Sequence, residues 1–167
     1  LNAPILADPV SQLRYHKKNK FILSLYDNYI NNLPNQPDLI IRFGKKPVSK
    51  KLKNYLKNHF NKIILISDNF GYNDDAKTYH PSNISIIPNL ISSTWFEKIE
   101  KLEKKSLKKI KSILDKKYFE GSIIASCFNC LKNNDNLFIG NSLSIRMLEQ
   151  YTVNINKNIH VFSNRGV

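Results

Sequence analysis

Apolar positions along the chain follow two rhythms. Short apolar runs bounded by turn residues read as strands: Pro4–Asp8, Asp38–Phe43, Lys62–Asp68, Ile84–Pro88, Leu137–Ile139 and Ile159–Phe162. Between them, apolar residues recur at helical spacing. Phe21, Leu23, Tyr26 and Ile30 predict a helix over Lys20–Leu33. Leu52, Leu56 and Phe60, preceded by Pro47 and Ser49, predict a second. A long helix is expected over Ser92–Phe119 with Ser93 or Thr94 as its cap, then one over Gly121–Leu131 and one over Asn141–Tyr151. Asp68–Asn83 is polar throughout and reads as a loop.

Strands and helices therefore alternate, with crossovers long enough for parallel pairing. The expected fold class is α/β, an open parallel sheet with right-handed crossovers. A boundary falls near Lys117, dividing residues 1–117 from 118–167. The short strands ahead of it are expected to share one sheet, and the last two strands to begin a second α/β unit. Neither an internal repeat nor a low-complexity linker is evident.

Composition changes the picture in one respect. The 167 residues carry 26 Lys+Arg against 13 Asp+Glu, a formal net charge of +13. Such a balance raises nucleic acid as a partner. Lysine and asparagine, however, are spread through every segment, and no compact aromatic-basic motif accompanies them. We read the densest run, Lys98–Lys117, as a solvated helix face and expect no nucleic-acid partner. No apolar run approaches the length of a membrane span and the N-terminus lacks a basic n-region, so neither a membrane partner nor a secretory signal is expected. The chain begins at Leu1 and ends just after a Ser-Asn-Arg-Gly turn, which suggests an excerpt of something longer.

The two cysteines form a C-x-x-C, Cys127 and Cys130, inside a helical pattern, and the histidines supply no further ligands at metal-site spacing. They are read as small apolar helix residues, and thiols without a disulfide framework suit a reducing compartment. Arginine, in contrast to lysine, is rare: Arg14, Arg42, Arg146 and Arg165 are the only four. A planar fork that grips a carboxylate or phosphate through two bonds requires arginine.

Candidate chemistry gathers near one of them. The strand Leu137–Ile139 must turn into a helix, which Gly140 permits. Ser142 is placed to act as N-cap or first-turn hydroxyl, and the helix start offers free N–H groups to an anion. Arg146 lies four residues on, on the same face. If the last strand runs parallel to Leu137–Ile139, Arg165 projects from the same sheet edge, where ligands of open α/β sheets bind.

At these residues the chain resembles a known family. "LFIGNSLSIRMLE" followed by "VFSNRGV" is similar to the 2-succinyl-5-enolpyruvyl-6-hydroxy-3-cyclohexene-1-carboxylate (SEPHCHC) synthases of menaquinone and phylloquinone biosynthesis. "PILADPVSQLR" and "PDLIIRFGKKPVSKKL" agree in order and spacing. The resemblance implies a Rossmann-like middle domain of a thiamine diphosphate enzyme, lacking its first strand, followed by the first strands and helices of the pyrophosphate-binding α/β domain. It implies decarboxylation of 2-oxoglutarate and addition of the resulting succinyl-semialdehyde anion equivalent to isochorismate, giving SEPHCHC and CO2.

By motif match Ser142, Arg146, Arg165, Lys50 and Lys51 are the expected substrate-binding residues, and Asn141 and Ser142 the expected cofactor contacts. The family often has arginine where this chain has Lys51, so a point charge stands in for a fork there. The family's activating glutamate and its metal-binding segment have no counterpart here. No catalytic residue, no metal ligand and no activity of this stretch alone are therefore expected. The intact enzyme is expected to use thiamine diphosphate with Mg²⁺ or Mn²⁺ and to be a homodimer or homotetramer. It is expected in the cytoplasm, with a plastid as the alternative. Absence of a Gly-x-Gly-x-x-Gly predicts no bound flavin or nucleotide. Two other readings compete: a non-catalytic α/β module that binds an anionic metabolite or a subunit, and a basic nucleic-acid-binding domain.

Overall fold

The computed structural model describes residues 3–15, 19–34, 36–67, 76, 78–80, 93–153 and 157–164. Within them the chain is α/β, and every strand pair is parallel. β1 (Ile5–Leu6) pairs with β2 (Ile22–Leu23); β3 (Ile40–Phe43), β4 (Ile63–Ile66) and β5 (Thr78–His80) form a second sheet; β6 (Asn136–Ile139) and β7 (His160–Ser163) form a third. Four helices accompany them among the described residues: α1 (Lys50–Asn58), α2 (Ser93–Lys116), α3 (Glu120–Cys130) and α4 (Leu143–Tyr151).

Local chemistry explains the elements that match expectation. Ser49 caps α1, its Oγ accepting from the Leu52 N–H at 2.9 Å, and Leu52 and Leu56 turn inward. β4 is buried along most of its length, as a central parallel strand should be, and registers Ile40 on Ile63 and Ile64 on Thr78. In α2, Phe96, Ile99 and Ile110 are buried while Lys98, Lys101, Lys105 and Lys108 face solvent, so the lysine run is a solvated face.

Several expectations need correction. The stretch Lys20–Leu33 is not one helix: it is β2 followed by 3-10 turns at Tyr26–Asn28 and Ile30–Asn32. Long-range bonds outweigh the local period. Ile5 N–H donates to the Phe21 carbonyl at 2.7 Å and Ala7 N–H to the Leu23 carbonyl at 3.1 Å, which draws Ile22–Leu23 out as a strand. Glu103 of α2 then accepts from the Ser24 and Leu25 N–H groups at 2.8 and 3.0 Å and starts a tighter turn. For the same reason β1 does not join the β3–β4 sheet; it pairs with β2. β5 stands inside the stretch read as a loop, and the strand expected at Ile84–Pro88 lies outside the described residues. Thr94 lies within α2, whose first residue is Ser93, and Phe60 is 42% exposed in a 3-10 turn beyond α1.

Two apolar cores hold these elements. One contains Leu23, Tyr26, Ile30, Leu52, Leu65 and Ile99; the other contains Phe128, Ile139, Ile145, Leu148, Ile159 and Val161. Chain crosses between them in both directions. Tyr15 and Val48 are buried in the second core, and Val153 in the first. The edge of β7 is closed by the segment after β1. Gln12 uses its side-chain amide as a second backbone, its Nε2 donating to the Val161 carbonyl at 2.7 Å and its Oε1 accepting from Val161 N–H at 3.3 Å. Ile159 N–H donates to the Tyr15 carbonyl at 3.2 Å. α3 and α4 approach closely at Gly121, where an added Cβ would stand 2.6 Å from the Tyr151 ring and also meet that of Phe119. The two cysteines point away from this packed face; both are exposed thiols, not apolar packing residues.

Candidate functional site

β6 and β7 register Leu137 on Val161 and Ile139 on Ser163, so their carboxyl ends share one edge. From that edge the chain passes through Gly140, Asn141 and Ser142 into α4. Gly140 does not take a positive φ, and a Cβ there would meet nothing within 4 Å. Ser142 carries the distortion, with φ 71° and ψ −120°. A side chain rarely adopts this geometry, and holding it costs about 1–3 kcal/mol. Ser142 occupies the N-cap position but its hydroxyl makes no cap hydrogen bond. The hydroxyl is thus exposed beside the free N–H groups of the first turn, not spent on closing the helix. Asn141 is fixed from the neighbouring strand, its Oδ1 accepting from the Ser163 hydroxyl at 3.2 Å.

Arg146 follows one turn along. It is exposed and makes no hydrogen bond or ion pair among the described residues. Gln150 is one turn further on the same face, and its Nε2 donates to Asp27 Oδ2 at 3.1 Å. That oxygen also meets Lys51 Nζ at 3.4 Å, and Lys51 donates to the Asp27 carbonyl at 2.9 Å. Asp27 therefore links Lys51 in the first turn of α1 to Gln150 in the last turn of the helix that carries Arg146. Lys50 is exposed, whereas Lys51 is partnered by Asp27. Arg165 lies outside the described residues. Sequence spacing could have found Gln150, two turns from Ser142. Asp27 could not be found that way, because its place depends on a 3-10 turn the periodicity did not announce.

The opposite face of α4 is buried. Ile145 and Leu148 pack into the second core. Glu149 is 1% exposed and accepts from the Tyr26 hydroxyl at 2.6 Å. Burial pushes its carboxyl up to about 7, against the opposing pull of the Tyr26 hydrogen bond and of Arg14 nearby. Burial and the Glu149 charge raise the Tyr26 phenol well above its ordinary value, so it remains a donor. Arg14 is 2% exposed, and its Nη2 donates to the Glu149 carbonyl in the last turn of α4. This arginine grips a helix C-terminus, where the dipole favours a cation.

The chain is 34% identical to the SEPHCHC synthase of Bacillus cytotoxicus over 98% of its own length and 31% of that relative's. It is likewise 34% identical to the SEPHCHC synthase of Staphylococcus aureus strain MSSA476, over 98% of the chain and 31% of the relative. The chain is homologous to these synthases along almost all of its length. It spans about a third of the curated relatives it matches (31%). A family model described as Reoviridae VP9 matches residues 85–165. That match leaves out β1 to β5 and α1, which the similarity to the synthases includes. Among the described residues no helix is long and apolar enough to cross a membrane, and no group of three or more His, Cys, Asp or Glu could hold a metal ion.

Proposed function

We propose that the chain is part of a thiamine diphosphate-dependent synthase that consumes 2-oxoglutarate and isochorismate, and that the α4 edge is where its residues meet these anions. The observation that carries this is the homology to SEPHCHC synthases along 98% of the chain. The exposed donors at the start of α4 support it. Residues 1–117 would form the middle domain and 118–167 the start of the pyrophosphate-binding domain, within a homodimer or homotetramer in the cytoplasm or a plastid.

The donor set at this edge fits a diphosphate or a carboxylate: the free N–H groups of the first turn, the Ser142 hydroxyl, Asn141 and the Arg146 fork. Asn141 and Ser142 would hold the diphosphate end of the cofactor. When bound, thiamine diphosphate supplies the chemistry that decarboxylates a 2-oxo acid, and its Mg²⁺ would be held by residues beyond those described. Arg146 and Arg165 would take substrate carboxylates, with Lys50 and Lys51 closing from the α1 side. An exposed guanidinium on a rigid helix can present both N–H groups to a carboxylate without rearranging.

Turnover of the two substrates by the intact protein is the direct test, with product formation dependent on thiamine diphosphate. In it, Arg146→Ala should lower kcat/KM by roughly 100-fold. Unchanged kinetics would remove Arg146 from the site, and a protein that binds a dicarboxylate without turnover would instead be a binding module.

A further inference from the structure

We propose that Asp27 is a positioning residue of this site, its buried carboxylate fixing Lys51 and the start of α1 against Gln150 in the last turn of α4, on the face that carries Arg146. The inference rests on the reading of that face as the place where substrate carboxylates bind.

Asp27 is 4% exposed and belongs to the 3-10 turn Tyr26–Asn28. A carboxylate so buried is costly unless its oxygens are partnered. The partners come from two other elements. Ser49 Oγ donates to Oδ1; Gln150 Nε2, from the last turn of α4, donates to Oδ2; Lys51 Nζ reaches Oδ2 and the Asp27 carbonyl as well. The Ser49 hydroxyl is used twice. It donates to Asp27 and accepts from Leu52 N–H, so the carboxylate orients the N-cap and with it the entry of α1.

The turn is braced from the other side by α2. Glu103 accepts from Ser24 N–H, Leu25 N–H and the Tyr29 hydroxyl at 2.8, 3.0 and 2.7 Å. Asp27 is thus a fixed point and not a side chain that follows its partners. The preceding residue adds a second link to α4, through the Tyr26–Glu149 hydrogen bond.

What Asp27 does to Lys51 follows from donor arithmetic. An ammonium has three donors. Asp27 engages it at two atoms, and the Lys51 side chain is still 49% exposed. One donor remains for an incoming carboxylate, on a side chain that would otherwise sweep through solvent. Preorganisation of this kind lowers the ordering cost of binding.

The test uses the intact protein with 2-oxoglutarate and isochorismate. Asp27→Asn keeps the shape and removes the charge. It should raise KM for at least one substrate tenfold or more, with kcat changed less than threefold, and it should add nothing to the KM of Lys51→Ala when the two are combined. A general loss of structure would not give that split or that non-additivity. Unchanged KM, or effects that add in full, would overturn the positioning role. If Asp27→Asn fails to fold, Gln150→Ala removes one shared hydrogen bond and leaves the carboxylate. It should raise KM about threefold, and an unchanged KM there also overturns the role. A wild-type protein that neither turns over nor binds these substrates overturns the reading of the site itself; wild-type turnover with normal Asp27→Asn kinetics overturns only the role of Asp27.

Discussion

At its first turn α4 leaves donors exposed, holds Ser142 at a positive φ and presents Arg146 without a partner among the described residues, whereas at its last turn it buries a carboxyl, a guanidinium and a phenol together. The two ends of one helix therefore meet opposite demands. The first turn keeps strain and open donors, the usual condition of a binding edge. The last turn joins charged and polar groups from segments more than a hundred residues apart, through the Arg14 and Tyr26 bonds to Glu149. Arg14 and Arg146 make the contrast concrete. Both are rare arginines in a lysine-rich chain, yet one holds a helix end and the other faces solvent. A fork in the sequence signals a demand for geometry, and the demand can be structural.

The sharpest way to break this contrast is at the buried end. Arg14→Ala in the intact protein should cost about 3–5 kcal/mol at pH 8, because it strips the last turn of its cation and leaves Glu149 without the opposing charge. Denaturant unfolding would read the loss, which should shrink at pH 5. A cost below 1 kcal/mol would mean Arg14 is not what holds α4.

Glu149 gives a pH signature. Its folded carboxyl titrates near 7, above the ordinary 4.5. Between those values the folded state holds a proton the unfolded state has lost, so stability falls as pH rises through the window and stays low above it. The groups facing it are Tyr26 and Asp27 from the 3-10 turn and Asp8 and Arg14 from the segment after β1. Glu149→Gln should abolish the slope, stabilising the protein by on the order of 3 kcal/mol at pH 8 and little at pH 5. A pH-independent difference between variant and parent would refute this account.

The smallest effect belongs to the open end. Ser142→Gly should stabilise by about 1 kcal/mol, since glycine relieves the strained φ and returns part of the gain as unfolded-chain entropy. Turnover should fall with the hydroxyl. Were Ser142→Gly to destabilise, the strain would have to be sought elsewhere.

Legibility from sequence followed the range of the forces involved. α1, β4, α2 and α4 were readable because their apolar periods are local, helped at α1 by the Ser49 cap ahead of Leu52. Over Lys20–Leu33 the helical spacing of apolar residues misleads, because it is overridden by β1 and by Glu103, about eighty residues away. At the site, Ser142 and Arg146 were legible from spacing on one helix face. Asp27, which joins this helix to α1 through Gln150, was not, because its place depends on a 3-10 turn set by distant partners.

By itself the sequence determined the alternation of strands and helices, the solvated lysine face of α2, and a strand–glycine–helix turn where β6 enters α4. These depend on residue types within a few positions of one another. Only the tertiary structure decided which arginine is buried, that Ser142 and not Gly140 carries the strained backbone, and that Asp27 ties Lys51 to α4. Those outcomes depend on which distant groups reach a buried carboxylate or helix end first, and a buried polar group takes whatever partner the packing brings to it.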